Sequence, residues 1–245
     1  MKRSHIRLGI AAVLAVGVWF LIFPTYSWHQ KLTIRVDTPQ GAVEGSSVVK
    51  VAWTRDLKLL PDMRAAHGTV TGEATVVALP NGRYLFALLP SEYYAARIFV
   101  PEMLPQNGSI SRDSMIPIAL AITLYKGKTR TLTPDQYPVL VTFEDINDPA
   151  SVKHVLPDEF AAAFGPGYRL DAMTMSITGE ALTDGKVVSV LGWLPSTGFI
   201  VPPEQQPELA RDQTIEQRLR PSNFIDIDTW AVLRGKEKSK NGHLK

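Results

Sequence analysis

Sixteen consecutive residues, Leu8 to Phe23, carry no charged or strongly polar side chain. Such a run is not left in water: a bilayer or the chain's own core must cover it. As a helix, at about 1.5 Å per residue, it spans roughly 24 Å, and Ile6, Thr25 and Tyr26 extend it toward the ~30 Å hydrocarbon thickness of a membrane. Lys2, Arg3 and Arg7 stand ahead of it, and the positive-inside tendency then keeps that end in the cytoplasm and sends the remainder across. The first reading is a cytoplasmic stub over 1–7 and a transmembrane helix over 8–26, through which the chain contacts the lipid bilayer. A cleaved signal peptide is the competing reading, and it needs small residues at its cleavage site. Here Trp19, Phe20, Phe23, Tyr26 and Trp28 crowd the exit and only Thr25-Tyr-Ser27 has a small-x-small form. Tyr26 and Trp28 suit the aromatic belt of an uncleaved anchor. A buried core helix is the third reading.

The chain contains no cysteine, which removes a lipoprotein anchor, disulfides, thiolate metal sites and cysteine nucleophiles together. The body must therefore be held by packing, and it is long enough to bury a sizeable core. Charge is unevenly placed. Residues 29–234 hold 19 Lys and Arg against 23 Asp and Glu, whereas the basic excess lies in Lys2, Arg3 and Arg7 and in Lys236, Lys238, Lys240 and Lys245. An acidic body lacks the broad basic face that phosphate contacts require, so nucleic acid is excluded as a partner. The stretch 235–245 reads as a disordered basic tail.

Beyond Trp28 the apolar period changes to two. Leu32, Ile34 and Val36, then Val49, Val51 and Trp53, alternate with polar or small residues, which predicts strands over Gln30–Val36 and Ser47–Thr54 joined by a Pro- and Gly-containing turn. Val70–Leu79 and Arg83–Leu89 flank Pro80-Asn-Gly82, a hairpin composition. A short helix is expected over Ser91–Val100 with Ser91 as N-cap, and a loop from Pro101 to Pro117 marks the internal boundary. Strands are expected at Ile118–Tyr125, Val139–Phe143 and Met173–Thr178. A further strand at Lys186–Trp193 would follow a hairpin turn at Leu182-Thr-Asp-Gly185. Helices are expected over Pro157–Phe164, ended by Gly165-Pro-Gly167, and over Pro207–Leu219, with a closing strand over Phe224–Trp230.

No segment commits to a chemistry. Glu144, Asp145, Asn147 and Asp148 place four oxygen-bearing side chains within five positions, and Asp145-Ile-Asn-Asp148 resembles the Asp-x-Asn-Asp calcium element of cadherin junctions. A calcium site needs six or more converging oxygens; the alternative is that Asp145 and Asn147 cap the turn after a strand. Whether these four bind a cation stays open at this point. Asp226 and Asp228 would share one face of a strand, either as an acid and base pair or as the wet side of an edge. His29, His67 and His154 share no ligand spacing, no Gly-x-Ser-x-Gly elbow occurs, and Gly127-Lys-Thr129 has Ile122 where a phosphate loop requires glycine. Asn107-Gly-Ser109 is a glycosylation sequon in form. No residue is therefore assigned as catalytic, cofactor-binding or metal-ligating.

Two resemblances add context. Leu32 to Val51, with a Gly-containing turn ahead of Gly45-Ser-Ser-Val-Val-Lys-Val51, resembles the first hairpin of carboxypeptidase-regulatory or transthyretin-like sandwiches. Over its length, through Trp28-His-Gln-Lys-Leu-Thr33, Gly82-Arg-Tyr-Leu-Phe-Ala-Leu-Leu89, Val141-Thr-Phe-Glu-Asp-Ile-Asn-Asp-Pro149 and Phe164-Gly-Pro-Gly-Tyr-Arg-Leu170, the chain is similar to uncharacterised single-span bacterial envelope proteins. That second resemblance implies an inner-membrane location and a periplasmic body, and it carries no activity.

The resulting expectation is an α+β, β-rich protein: an N-terminal transmembrane helix, then a mostly antiparallel, sandwich-like extracytoplasmic body with a few short helices. A first β-rich subdomain would occupy 29–105 and a second α+β subdomain 115–234. Its function reads as a membrane-anchored binding or interaction module with an envelope protein partner. The alternative is an envelope hydrolase using acidic residues, with or without a divalent cation, which needs Glu144, Asp145 and Asp148, or Asp226 and Asp228, to converge.

Overall fold

In a computed structural model the described residues are 23–57, 65–105, 114–207 and 210–242. They form two antiparallel sheets and six short or medium helices, an α+β arrangement rich in strands. β1 (Thr25–Asp37) and β2 (Val43–Arg55) are a long hairpin, followed by β3 (Ala66–Thr71), β4 (Thr75–Ala78) and β5 (Tyr84–Ala87). Helices α1 (Tyr94–Phe99) and α2 (Met115–Thr123) precede β6 (Thr129–Thr131), β7 (Leu140–Phe143) and β8 (Val152–His154). Helix α3 (Phe160–Phe164), strand β9 (Arg169–Thr178) and helices α4 (Lys186–Val190), α5 (Ile215–Arg218) and α6 (Ile227–Gly242) complete the order.

The larger sheet runs β3, β2, β1, β9, β6 and the smaller one β4, β5, β7, β8. β1 lies at the centre of the larger sheet, so each sheet draws strands from both sides of the 105–115 stretch. Along β1 the even-numbered residues Trp28, Gln30, Leu32, Ile34 and Val36 are buried, while Arg35 and the half-buried Lys31 face outward into ion pairs with Asp171 and Glu180. This is the one-sided alternation of an antiparallel sheet with a wet face. The smaller sheet is covered on both faces. Leu85, Ala87 and Leu140 enter the core shared with the larger sheet and helices α1 and α2, whereas Phe86, Val141 and Phe143 enter a second core with Val187, Leu191, Leu194 and Phe224. Burial on both faces explains why Leu85 to Leu88 is apolar without alternation.

Several expectations are corrected. The transmembrane helix over 8–26 is overturned at its end, because Thr25 and Tyr26 begin β1 and pair with Thr54 and Trp53. Pro24 cannot donate to a helical ladder, and the β-branched and aromatic residues after it favour the strand. Residues 1–22, with the stub at 1–7, lie outside the described residues; among those described, no helix is long and apolar enough to cross a membrane. Val70–Leu79 is two strands in different sheets, broken at Gly72, whose φ of +134° suits glycine. Ile118–Tyr125 belongs mainly to helix α2, an apolar run buried at Met115, Ile116, Ile118, Ala119 and Ile122. A short apolar run does not separate a buried strand from a buried helix, and Pro117 in the first turn with Ala119 and Ala121 favours the helix.

Lys186–Val190 is helical where a strand was expected. Among the described residues of the stretch Pro207–Leu219 there are a 3₁₀ turn at Ala210–Asp212 and α5. Phe224–Trp230 does not close a sheet beyond one bridge between Ile225 and Glu73, because α6 begins at Ile227. The stretch expected as a disordered tail is helical through Gly242. The hairpin at Pro80-Asn-Gly82 forms as expected, with Leu79 and Arg83 closing the turn and Gly82 at φ +80°.

Candidate functional site

Glu73 is the least expected side chain in the molecule. It is 3% exposed, sits between the break at Gly72 and strand β4, and points its carboxylate at the start of helix α4. The Lys186 N–H donates to Oε1 at 2.9 Å and the Val187 N–H to Oε2 at 3.1 Å. These are first-turn amides that the helix itself cannot satisfy, so the carboxylate replaces the strand ladder expected there. Burial pushes the Glu73 carboxyl above the usual glutamate range and Asp184 pushes the same way, against the two amides and Lys186.

Asp226 lies beside it and is 6% exposed. Its Oδ1 accepts the Thr229 N–H at 3.0 Å and caps α6, while Oδ2 accepts the Gly72 N–H at 2.9 Å. Backbone bonds from Asp226 N–H to Gly72 O and from Ala74 N–H to Phe224 O tie the same two segments together. One carboxylate thus starts α4 and the other starts α6. Between these helices opens a cleft of about 760 Å³, lined by the acids Glu73, Asp184 and Asp226 and by the apolar Leu182, Val188, Ile225 and Leu233. Its size is that of a small-ligand or side-chain site, and none of the residues lining it is Lys or Arg.

A second groove, about 470 Å³, lies between α1 and the Asp135–Val139 segment and carries both Arg97 and Asp135. Its Tyr94 hydroxyl donates to Gln136 O, and burial holds that phenol well above its ordinary range. Mixed charge and a committed hydroxyl give this groove less chemical direction than the acidic cleft.

The residues singled out in the sequence do not assemble into a site. Asp145 Oδ1 accepts the Asn147 N–H at 2.9 Å, and Asp148 Oδ1 accepts the Ala150 N–H at 2.9 Å. Ser151 Oγ donates to the Asp145 and Asp148 carbonyls, so the segment is a capped turn. Among the described residues no group of three His, Cys, Asp or Glu is placed to hold a metal ion. Asp228 is exposed in the first turn of α6 while Asp226 is buried, so the two do not form a pair. The convergence required by the hydrolase reading is not made by these residues. His29 Nδ1 lies 2.6 Å from Glu180 O, His67 pairs with Asp56 at 2.8 Å, and the His154 N–H donates to Glu216 at 3.0 Å. Gly165, at φ +110°, ends α3. Asn107-Gly-Ser109 lies outside the described residues.

Sequence reasoning missed Glu73. Its signal was a single carboxylate set between Gly72 and Ala74 inside an otherwise apolar strand-like run, a position where an unpaired charge is costly and so implies a built partner. Compared with protein-family models, curated proteins and solved structures, the chain matches none.

Proposed function

We propose that this chain is a binding module of the bacterial envelope, held at the membrane with its body outside the cytoplasm, and that the cleft between α4 and α6 is its recognition site. The observation that carries the reading is the buried Glu73 carboxylate in the wall of a cleft that also carries Asp184, Asp226 and the apolar Leu182, Val188 and Leu233. Three carboxylates without a lining cation favour a positively charged group, and Leu182, Val188 and Leu233 favour an apolar stem or neighbour beside it. The ligand class is accordingly a peptide segment that sets a Lys or Arg among apolar side chains. The location rests on the sequence alone, on Leu8–Phe23 with basic residues ahead of it.

The test uses the full chain in detergent and fluorescent peptides of two compositions, Lys with Leu and Glu with Leu. The Lys peptide is expected to bind and the Glu peptide not to. Asp184→Lys, at an exposed lining position, should weaken the Lys peptide by roughly tenfold, about 1.4 kcal/mol, and Ser189→Trp should block the cleft. Equal binding of both peptides, or binding indifferent to both substitutions, overturns the reading.

A further inference from the structure

One rim of the larger sheet combines exposed leucines with exposed cations. Thr25 opens β1 and pairs with Thr54 near the end of β2, while Arg55 N–H donates to Pro24 O. Ala66 begins β3 opposite Arg55, and Thr178 ends β9 opposite His29. The Tyr125–Lys128 turn follows α2 to the same place: Gly127 N–H donates to Ile177 O, and Thr123 and Lys126 line a depression with Ser27, Trp28 and His29. Two leucines one helical turn apart stand open here, Leu120 at 44% and Leu124 at 78% exposure, and Leu57 beyond the end of β2 is 48% exposed. Arg55, Lys126 and Lys128 are exposed around them and make no ion pair among the described residues. The acids nearby, Asp56 and Glu180, are already paired with His67 and Lys31.

We infer that this rim is a docking face for an anionic lipid surface. Exposed leucines ringed by unpaired cations match the boundary between headgroups and acyl chains, and each cation near such a surface gains from its negative potential. In sequence, the apolar run Leu8–Phe23 directly precedes Thr25, the first residue of this rim's central strand. The body as a whole carries more acids than bases, so such a surface attracts it only where cations are gathered, as they are on this rim. The far turn at Thr38–Gly41 would stand off by the length of β1, roughly 40 Å at ~3.3 Å per residue. The cleft begins at Thr71, the opposite end of β3 from Ala66, and stays open to a ligand. This inference rests on the proposed membrane location but not on the proposed ligand.

A cysteine-free chain permits single labels. The full chain carrying a fluorophore at Leu124→Cys, Leu57→Cys or Gln40→Cys is reconstituted with phosphatidylethanolamine and phosphatidylglycerol vesicles, with and without nitroxide lipid. Flotation reports location, and quenching reports the face. The chain is expected to float, the probes at 124 and 57 to lose more than half their intensity to the nitroxide, and the probe at 40 to stay within error of its unquenched value. Adding Lys126→Glu and Lys128→Glu should restore intensity at 124 in these vesicles. A chain that does not float overturns both the location and the face. A chain that floats with the probe at 124 as bright as at 40 overturns the face alone, and quenching unmoved by the two charge reversals overturns its electrostatic part.

Discussion

The buried carboxylate of Glu73 accepts the Val187 amide at 3.1 Å across 114 positions of sequence. Together with the Lys186 amide on its other oxygen, this joins the break between β3 and β4 to the first turn of α4. It makes one side chain serve as helix cap, inter-segment tie and wall of the cleft. Burial works against the ionised form of that carboxylate while both amides work for it, so its proton is coupled to the packing of α4.

That coupling sets a direction for stability against pH. The Glu73 carboxyl is raised in the folded state, so its contribution is fully present below the unfolded glutamate value and is lost as pH rises through the raised folded value. Glu73→Gln removes the titration. Thermal unfolding of both proteins from the ordinary glutamate range upward should show wild type losing ground to the variant as pH increases, with parallel curves as the opposing outcome.

Asp226 holds two backbone donors at once, Thr229 N–H and Gly72 N–H. Asp226→Ala should cost about 2 to 4 kcal/mol, combining a lost cap of about 1 kcal/mol with a buried amide left without a partner at about 1 to 3 kcal/mol. Asp226→Asn keeps one acceptor oxygen and should cost less. Urea unfolding gives both numbers, and far-ultraviolet circular dichroism should show the helical loss only for Ala; equal losses would mean that the cap is not what matters.

These two carboxylates show what the sequence could and could not carry. Gln30 to Val36 was legible because one wet face imposes period two on β1. The Asn81-Gly82 turn was legible because its backbone conformation is local. The segments Ile118–Tyr125, Lys186–Trp193 and Phe224–Trp230 were not, because tertiary partners decide them. Met115–Thr123 is buried among side chains that conceal its period, α4 takes its first hydrogen bonds from Glu73, and α6 is started by Asp226 in contact with Gly72. A pair of acids two residues apart suggested a shared strand face for Asp226 and Asp228, whereas Asp226 turns one oxygen to Gly72, far away in sequence, and the other to Thr229 in the helix it begins. The cleft was invisible for the same reason, since α4 begins on hydrogen bonds to the distant Glu73 and the residue that caps α6 is held by the distant Gly72.

Two glycines separate steric from conformational demand. Gly68 pairs with Trp53 across β2 and β3, and a Cβ there would stand 2.6 Å from the Trp53 ring and 2.7 Å from Glu92 Cγ. Trp53 is fully buried, so Gly68→Ala should force a core shift costing about 1 to 3 kcal/mol and move the tryptophan emission maximum. Gly82→Ala meets nothing within 4 Å and suffers only from φ at +80°, costing about 1 to 2 kcal/mol with emission unchanged. Fluorescence recorded alongside chemical unfolding distinguishes them, and an unshifted spectrum in Gly68→Ala would contradict the contact.

Glu216 provides the opposite pH sign to Glu73. It is half-buried in α5 and its Oε1 accepts the His154 N–H from the edge strand β8 at 3.0 Å. Burial alone would push its carboxyl up, yet the His154 amide, its own amide, the Thr214 hydroxyl and the His154 charge together hold it below the usual range. A lowered folded value means that the stabilising contribution is present above the unfolded glutamate value and disappears as pH falls through the folded one. Glu216→Gln retains an acceptor for His154 without a titrating proton, so its unfolding midpoint should approach and then match or exceed that of wild type as the solution is made acid. Glu216→Ala removes the acceptor as well and should be weaker by about 1 kcal/mol at neutral pH. Amide hydrogen exchange at His154 supplies the local readout: protection should fall in Glu216→Ala and persist in Glu216→Gln, and equal protection in both would show that β8 is held by its pairing with β7 alone.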